Sequence, residues 1–406
     1  MDHKYLSERA KQHLNALCVE IPTRKVGSQG NRQATDYVAE LLNSFGFQTE
    51  TPEFECIDWE EQGASLNIEN HNFEVFPSPY SRDCSLSAEL VSASNVAELE
   101  QLDTDGKLLL LHGELTREQL MPKNFPFYNP EHHQQIIGLL ESKHPAAIIA
   151  ATSRNPQLAG ALYPFPLIED GDFEIASVYM KDKEGEKLLP LVGQTATLVS
   201  NAARIPSTGH NVIGHKGKSL TPKVVFLAHI DTKINTPGAL DNGTGIVILL
   251  LLAELLKGYQ GDLGVEILAV NGEDYYGAPG QIHYLAHNQD TLKDIQLAIN
   301  TDVAGYYQGK TEFTLYGCPE KTAKAAYQAF SSFPEIVEGQ PWYQSDHSVF
   351  IQQGVPAMAI TSETFMKLSA YITHTPEDRP ELMDASKIVD IAIALQNLLV
   401  SLCVEK

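Results

Sequence analysis

The chain has 406 residues, 43% of them apolar and 20% charged, and carries a formal net charge of −23. That length suffices for two domains with full cores, and the acidity excludes the basic face that nucleic-acid binding requires. The longest apolar run, residues 246–253, falls short of the roughly 20 residues that span a bilayer, so no membrane partner is expected.

The N-terminal MDHKYLSERAKQ is charged and has no apolar core, so no secretory signal is expected there. The five cysteines, Cys18, Cys56, Cys84, Cys318 and Cys403, form an odd set without a CxxC. They read as unpaired thiols of a reducing compartment, which places the chain in the cytoplasm. Leu6, Ala10, Leu14 and Leu17 recur at helical spacing. A second helix carries Ala34, Tyr37, Val38, Leu41, Leu42 and Phe45, with Gly46 at its C-terminus. The link between them, PTRKVGSQGN, is rich in turn formers.

The pattern changes over residues 54–205. Short strands are predicted at 107–111, 146–151, 174–179 and 195–199, separated by proline-rich loops, with one helix at 132–142. The pair His132-His133 reads as a hydrophilic helix start rather than a metal site, because no His and carboxylate constellation surrounds it in the sequence. From Asn211 strands and helices alternate, as in α/β folds. Residues 306–338 read as a strand pair with a helix from Glu320. Residues 383–402 read as a closing helix with a stripe of Ile388, Ile391, Ala392, Leu395 and Leu399.

The chemistry collects at strand ends. The apolar run 224–228 ends in His229-Ile230-Asp231, and residues two apart on a strand share a face. Open α/β sheets hold ligands at the carboxyl edge of their strands. The loop that follows ends at Asp241 and opens into an apolar helix. VEILAVNGED ends a second strand at Glu273-Asp274, LAINTD ends a third at Asp302, and YITHTPED carries His374. Two imidazoles and three carboxylates, with a spare Glu, suit zinc and a bridged two-metal hydrolytic site.

The ordered set AHID, GALDN, GED, NTD, SDH and HTPED resembles the co-catalytic zinc aminopeptidase superfamily, the clan MH metallopeptidases of the bacterial leucyl aminopeptidase type. Its relatives include glutamate carboxypeptidases, glutaminyl cyclases and the transferrin receptor. The motifs cover the second half of the chain. LLLLHGEL, AAIIAAT and EIASVYMKDKEGEKLL resemble, loosely, a protease-associated domain. Arg24 and Gly27-Ser28 are similar to a segment found at this place in the superfamily.

The resemblance implies a three-layer α/β exopeptidase domain with a mixed, largely parallel central sheet and a small β-rich insertion. The expected divisions are 1–50, N-terminal helices of the catalytic domain; 51–205, the insertion; and 206–406, the catalytic domain. It further implies two divalent ions, zinc, bridged by Asp241. His229 and Asp302 complete one site, and Asp274 and His374 the other. Asp231 is expected to orient His229, Asp378 to do the same near His374, and Glu273 to be the general base. His347, with Tyr343 as the alternative, is expected to face the oxyanion, and a cis peptide is expected after Asp241. The chain departs from the superfamily in having Glu273-Asp274 for the usual Glu-Glu and YYGAPG after it. The expected activity is removal of N-terminal residues from peptides. The alternatives are a carboxypeptidase, a glutaminyl cyclase, or an inactive homologue used for binding. No motif bears on side-chain preference or oligomeric state.

Overall fold

The computed structural model describes residues 2–21, 23–157 and 160–404; Pro22, in the predicted PTRKVGSQGN link, lies outside them. The chain forms two compact units, Met1–Cys56 with Thr208–Lys406, and Ile57–Ser207.

Among the described residues, the first unit holds a sheet of eight strands. Their order is Gln48–Glu50, Val212–Lys216, Gly264–Val270, Lys223–His229, Ile295–Thr301, Ala357–Ser362, Thr311–Tyr316 and Ile336–Glu338. The four from Gly264–Val270 to Ala357–Ser362 run parallel, and their outer neighbours are antiparallel to them. All four therefore end at one edge. Val224, Phe226 and Ala228 join the main core, while the equally buried Val225 and Leu227 turn to the opposite face. A parallel strand covered on both faces needs an unbroken apolar run, which VVFLA supplies. The expected α/β class, with its mixed and largely parallel sheet, is the one found.

The helix Thr244–Leu255 follows the loop that ends at Asp241 and is buried from Thr244 through Glu254. It is apolar on every side because it runs through the core. Glu254 accepts hydrogen bonds from Tyr5 Oη at 2.7 Å and Arg9 Nε at 3.4 Å, both on the helix His3–Asn15. The last helix, Ala385–Val404, is long and apolar enough to cross a membrane by length and composition. Its predicted stripe packs in the same core as Thr244–Leu255, which accounts for that composition.

The second unit is also built on strands, several of them parallel. Cys84–Ala93, Leu108–Leu111, Ala147–Thr152 and Ser177–Lys181 run side by side in one direction. Glu131–Ser142 is the predicted helix before the third of these. Two apolar clusters cover the two faces: Leu108 and Leu110 belong to one, Leu109 and Leu111 to the other. The sequence pattern undersized this region. Thr195–His210 and Glu53–Ile68 are strands of 16 residues each, the second of which no apolar run announced.

Candidate metal centre

The carboxyl edge of the four parallel strands gathers five side chains. His229 ends its strand fully buried, and its Nδ1 donates to the main-chain carbonyl of Asp231 at 3.2 Å. With the ring proton committed there, Nε2 offers a lone pair. Yet it faces Asp241 Oδ1 at 3.1 Å and Asp302 Oδ1 at 3.5 Å. His374 Nε2 lies 3.0 Å from Asp241 Oδ2 and 2.9 Å from Asp274 Oδ1. Asp241 thus gives one oxygen to each imidazole. The predicted His229, Asp241, Asp274, Asp302 and His374 are all brought together.

The donor set fits divalent metal. His229 Nε2 and Asp302 Oδ1 are buried without a hydrogen-bond partner, and His229, Asp241 and Asp274 present ligand atoms within 4.8 Å of one another. Buried carboxylates facing imidazole lone pairs need a cation between them. Short of an ion, a proton on the ring would supply that charge. Burial works against charge on His229 and His374, but the surrounding aspartates outweigh it and push both pKa values well above the ordinary one. Burial likewise opposes charge on Asp241, and the two histidines nonetheless hold its carboxyl well below the usual range.

The loops are held by two carboxylates in a way the sequence did not suggest. Asp231 was expected to orient His229 through its carboxylate; it does so through its main-chain carbonyl, while its carboxylate Oδ1 is 3.7 Å from Nδ1. It accepts instead from the main-chain N–H groups of Gly272 at 2.7 Å, Glu273 at 3.3 Å and Asp274 at 2.9 Å. Asp378 was expected beside the His374 ring. Its oxygens accept from the N–H groups of Leu240 at 2.7 Å and Asp241 at 3.0 Å. Burial raises its pKa to about 7, against those two hydrogen bonds. Each carboxylate thus fixes the backbone of a predicted ligand. The Asp241-Asn242 peptide is cis, as expected. Asn242 Nδ2 donates to Thr301 O at 2.9 Å, and Gly245 is required beneath it, since a Cβ there would lie 2.3 Å from Asn242 Oδ1.

Glu273 is partly exposed beside the buried Asp274. Burial of its carboxyl, reinforced by Asp274, Asp302 and Asp346 and opposed by His229, raises its pKa well above the ordinary value. Ser345 Oγ donates to Asp302 Oδ2 at 2.7 Å and accepts from Asn300 at 2.8 Å, so the SDH motif steadies a predicted ligand. His347 is not free to serve an oxyanion as expected. It is fully buried, its Nε2 donates to Trp342 O at 2.8 Å, and burial lowers its pKa to about 4. A neutral ring with its proton committed to a carbonyl has none to offer an oxyanion. Tyr343 is exposed and edges onto Tyr316.

A second His and carboxylate cluster lies in the other unit. Glu118 Oε1 stands 3.0 Å from His132 Nε2 and 3.4 Å from His133 Nε2, so the carboxylate thought missing beside this pair is present. The three residues line a cleft of about 1370 Å³. Here the main-chain N–H of Met121 donates to His133 Nδ1 at 3.0 Å. Nδ1 is therefore an acceptor, and the proton of the neutral ring sits on Nε2, where a metal would have to bind. A ligating histidine normally donates from its other nitrogen. His229 does so and His133 cannot.

The sheet and its edge thus define an α/β protein with a buried His and carboxylate centre at the ends of parallel strands. Residues 211–399 match the model of peptidase family M28. Aminopeptidase YwaD of Bacillus subtilis (strain 168) is 31% identical over 144 residues, which are 34% of this chain and 31% of YwaD. The chain therefore spans under a third of that relative's length. A solved zinc aminopeptidase of Bacillus subtilis, BSAP, shares the fold at a TM-score of 0.75 and 20% identity, over 97% of this chain and 94% of BSAP. A glutaminyl cyclase from an Acidobacteriales bacterium shares it at a TM-score of 0.54 and 13% identity, over 98% and 95% of the two chains.

Proposed function

We propose that this chain is a zinc-dependent aminopeptidase that hydrolyses N-terminal residues from peptides. The observation that carries the reading is Asp241, whose two oxygens face two different imidazoles in a five-residue cluster of which all but His374 are buried. His229, Asp302 and Asp241 would hold one ion, and His374, Asp274 and Asp241 the other. Two ions bound there would supply Lewis acidity to the scissile carbonyl and a lowered pKa to the attacking water. The names of the relatives support the class of reaction.

We assign the movement of protons to Glu273. Its carboxylate takes the proton of the water as the new carbon–oxygen bond forms. It returns that proton to the departing amine as the carbon–nitrogen bond breaks. Asp231 keeps Glu273 and Asp274 in register through the three N–H groups it accepts. With His347 committed to Trp342 O, the oxyanion donor is not assigned to it. We read residues 51–205 as a protease-associated-like insertion and the cytoplasm as the chain's location.

Glutaminyl cyclization is the second reading, favoured by the glutaminyl cyclase that shares the fold. A panel of aminoacyl, N-acylated and N-terminal glutaminyl peptides, with metal content measured on the same sample, separates the readings. Release of free amino acids from unblocked N-termini is expected. Turnover of N-acylated peptides alone would replace the aminopeptidase with another exopeptidase, and pyroglutamate formation alone would make it a cyclase. A metal-free sample that is active and indifferent to chelators would end the zinc reading.

A further inference from the structure

The segment PTRKVGSQGN takes part in no step above, yet its side chains reach both loops of the centre. Arg24 is almost fully buried. Its Nε donates to Ile230 O at 2.9 Å, Nη1 to Leu17 O at 2.7 Å and Pro237 O at 2.9 Å, and Nη2 to Gly238 O at 2.7 Å. Ile230 directly follows His229, and Gly238 stands three residues before Asp241. One guanidinium therefore grips both ends of the loop that joins these two ligands. The irregular backbone of such a buried loop leaves carbonyls that need donors, and the rigid fork of Arg supplies several at fixed angles. The turn is shaped to it: Gly238 has φ +59°, and a Cβ there would lie 2.9 Å from Arg24 Nη2.

Seven residues on, Asn31 holds the other loop. It is fully buried and pairs reciprocally with Asn271: Asn31 Nδ2 donates to Asn271 Oδ1 at 2.9 Å, and Asn271 Nδ2 to Asn31 Oδ1 at 2.7 Å. Asn271 stands two residues before Glu273. Asn31 Nδ2 also donates to Arg24 O at 2.8 Å, which ties the two anchors together.

We propose that Arg24 and Asn31 are positioning residues of the metal centre. Arg24 sets the spacing of His229 from Asp241, and Asn31 sets the turn that carries Glu273 and Asp274. The inference rests on the metal reading above. A residue that merely stabilised the fold would change the melting temperature and leave the ligands where they are. A positioning residue changes how the ligands meet the ion.

The test uses the full chain with Arg24→Lys and Asn31→Ala. Lys keeps the charge and loses the fork, and Ala removes the amide pair. Zinc affinity is measured by competition with a chromophoric chelator, the visible spectrum is recorded after cobalt(II) substitution, and the melting temperature is taken on metal-free protein. Both variants are expected to bind zinc about 10–100-fold more weakly, the range for lost groups behind a ligand, with shifted cobalt absorption. Wild-type affinity and an unaltered spectrum in the variants would overturn the proposal, whatever the melting temperature does. If Arg24→Lys does not fold, Asn31→Ala decides alone. A wild-type chain that binds neither metal would instead bring down the metal reading, and this inference with it.

Discussion

Among the described residues, two clusters bring two imidazoles to a carboxylate, and their ring nitrogens are held in opposite senses. At His229 the second ring nitrogen meets a carbonyl, and at His133 it meets an N–H. The first contact leaves a lone pair aimed at carboxylates, whereas the second leaves a proton. The surroundings differ in the same sense. His229 and Asp302 are buried; His133 is buried too, but its neighbours Glu118 and His132 are about half exposed or more. The imidazole-to-carboxylate distances are nearly alike in the two places, though the first has three carboxylates and the second one. The hydrogen bond on the far side of the ring decides what the near side can do.

The most forceful way to sharpen this contrast is to separate base from ligand within the first cluster. Glu273→Gln should retain bound metal and lose turnover by about 10²–10⁴-fold, the cost of a removed acid–base group. Asp274→Asn should lose metal at its site and regain part of its activity in excess zinc. The reverse pattern on a metal titration would exchange the two roles. Full activity in both would move the catalytic centre elsewhere.

Asp378→Asn comes next. It preserves shape but sets an amide NH₂ against a backbone N–H that now has an oxygen to bond. Zinc affinity should fall about 10-fold or more. Unchanged affinity would reduce Asp378 to a residue of the loop alone.

A double His132→Ala, His133→Ala variant addresses the second cluster. Its zinc stoichiometry should equal that of the wild type, by atomic absorption on gently purified protein. Loss of an ion would show that cluster to be a metal site. Nitrogen NMR of histidine-labelled protein should find the His133 proton on Nε2, and a proton on Nδ1 would erase the contrast.

The smallest effect is on pH. Burial lowers the His133 pKa, with Glu118 partly offsetting it. A histidine with a lowered folded pKa stabilises the protein above its unfolded value of about 6.5. That contribution is lost as pH falls below 6.5 and through the folded value, because the unfolded chain takes the proton first. Urea midpoints at pH 7.5 and pH 5 should therefore fall less in His133→Gln than in the wild type. An equal fall in both would put the acid sensitivity elsewhere.

Much of the centre was legible in the sequence because it follows from local rules. Apolar runs such as VVFLA and ILAV make strands covered on both faces, parallel strands end at one edge, and the next polar residue arrives there. His229, Asp302 and the Glu273-Asp274 pair could be found from that period alone. Asp241 and His374 sit on loops, and their place in the motif order identified them. The strand Glu53–Ile68 was not legible, since its exposed polar residues break the alternation that marks a strand.

The partners of these residues were beyond any local rule. The same carboxylate can accept from an imidazole or from a turn of backbone N–H groups, and the path of the loop makes the choice. Asp231 and Asp378 went to the backbone, and His347 went to a carbonyl five residues away. Glu118 meets His132 across 14 residues and Arg24 meets Ile230 across 206. The sequence by itself determined which side chains arrive at the sheet edge, because strand length and apolar period are short-range properties. Only the tertiary structure decided which ring nitrogen keeps its proton and which carboxylate is left facing it, because a hydrogen bond is settled by the one atom that the rest of the fold brings within 3 Å.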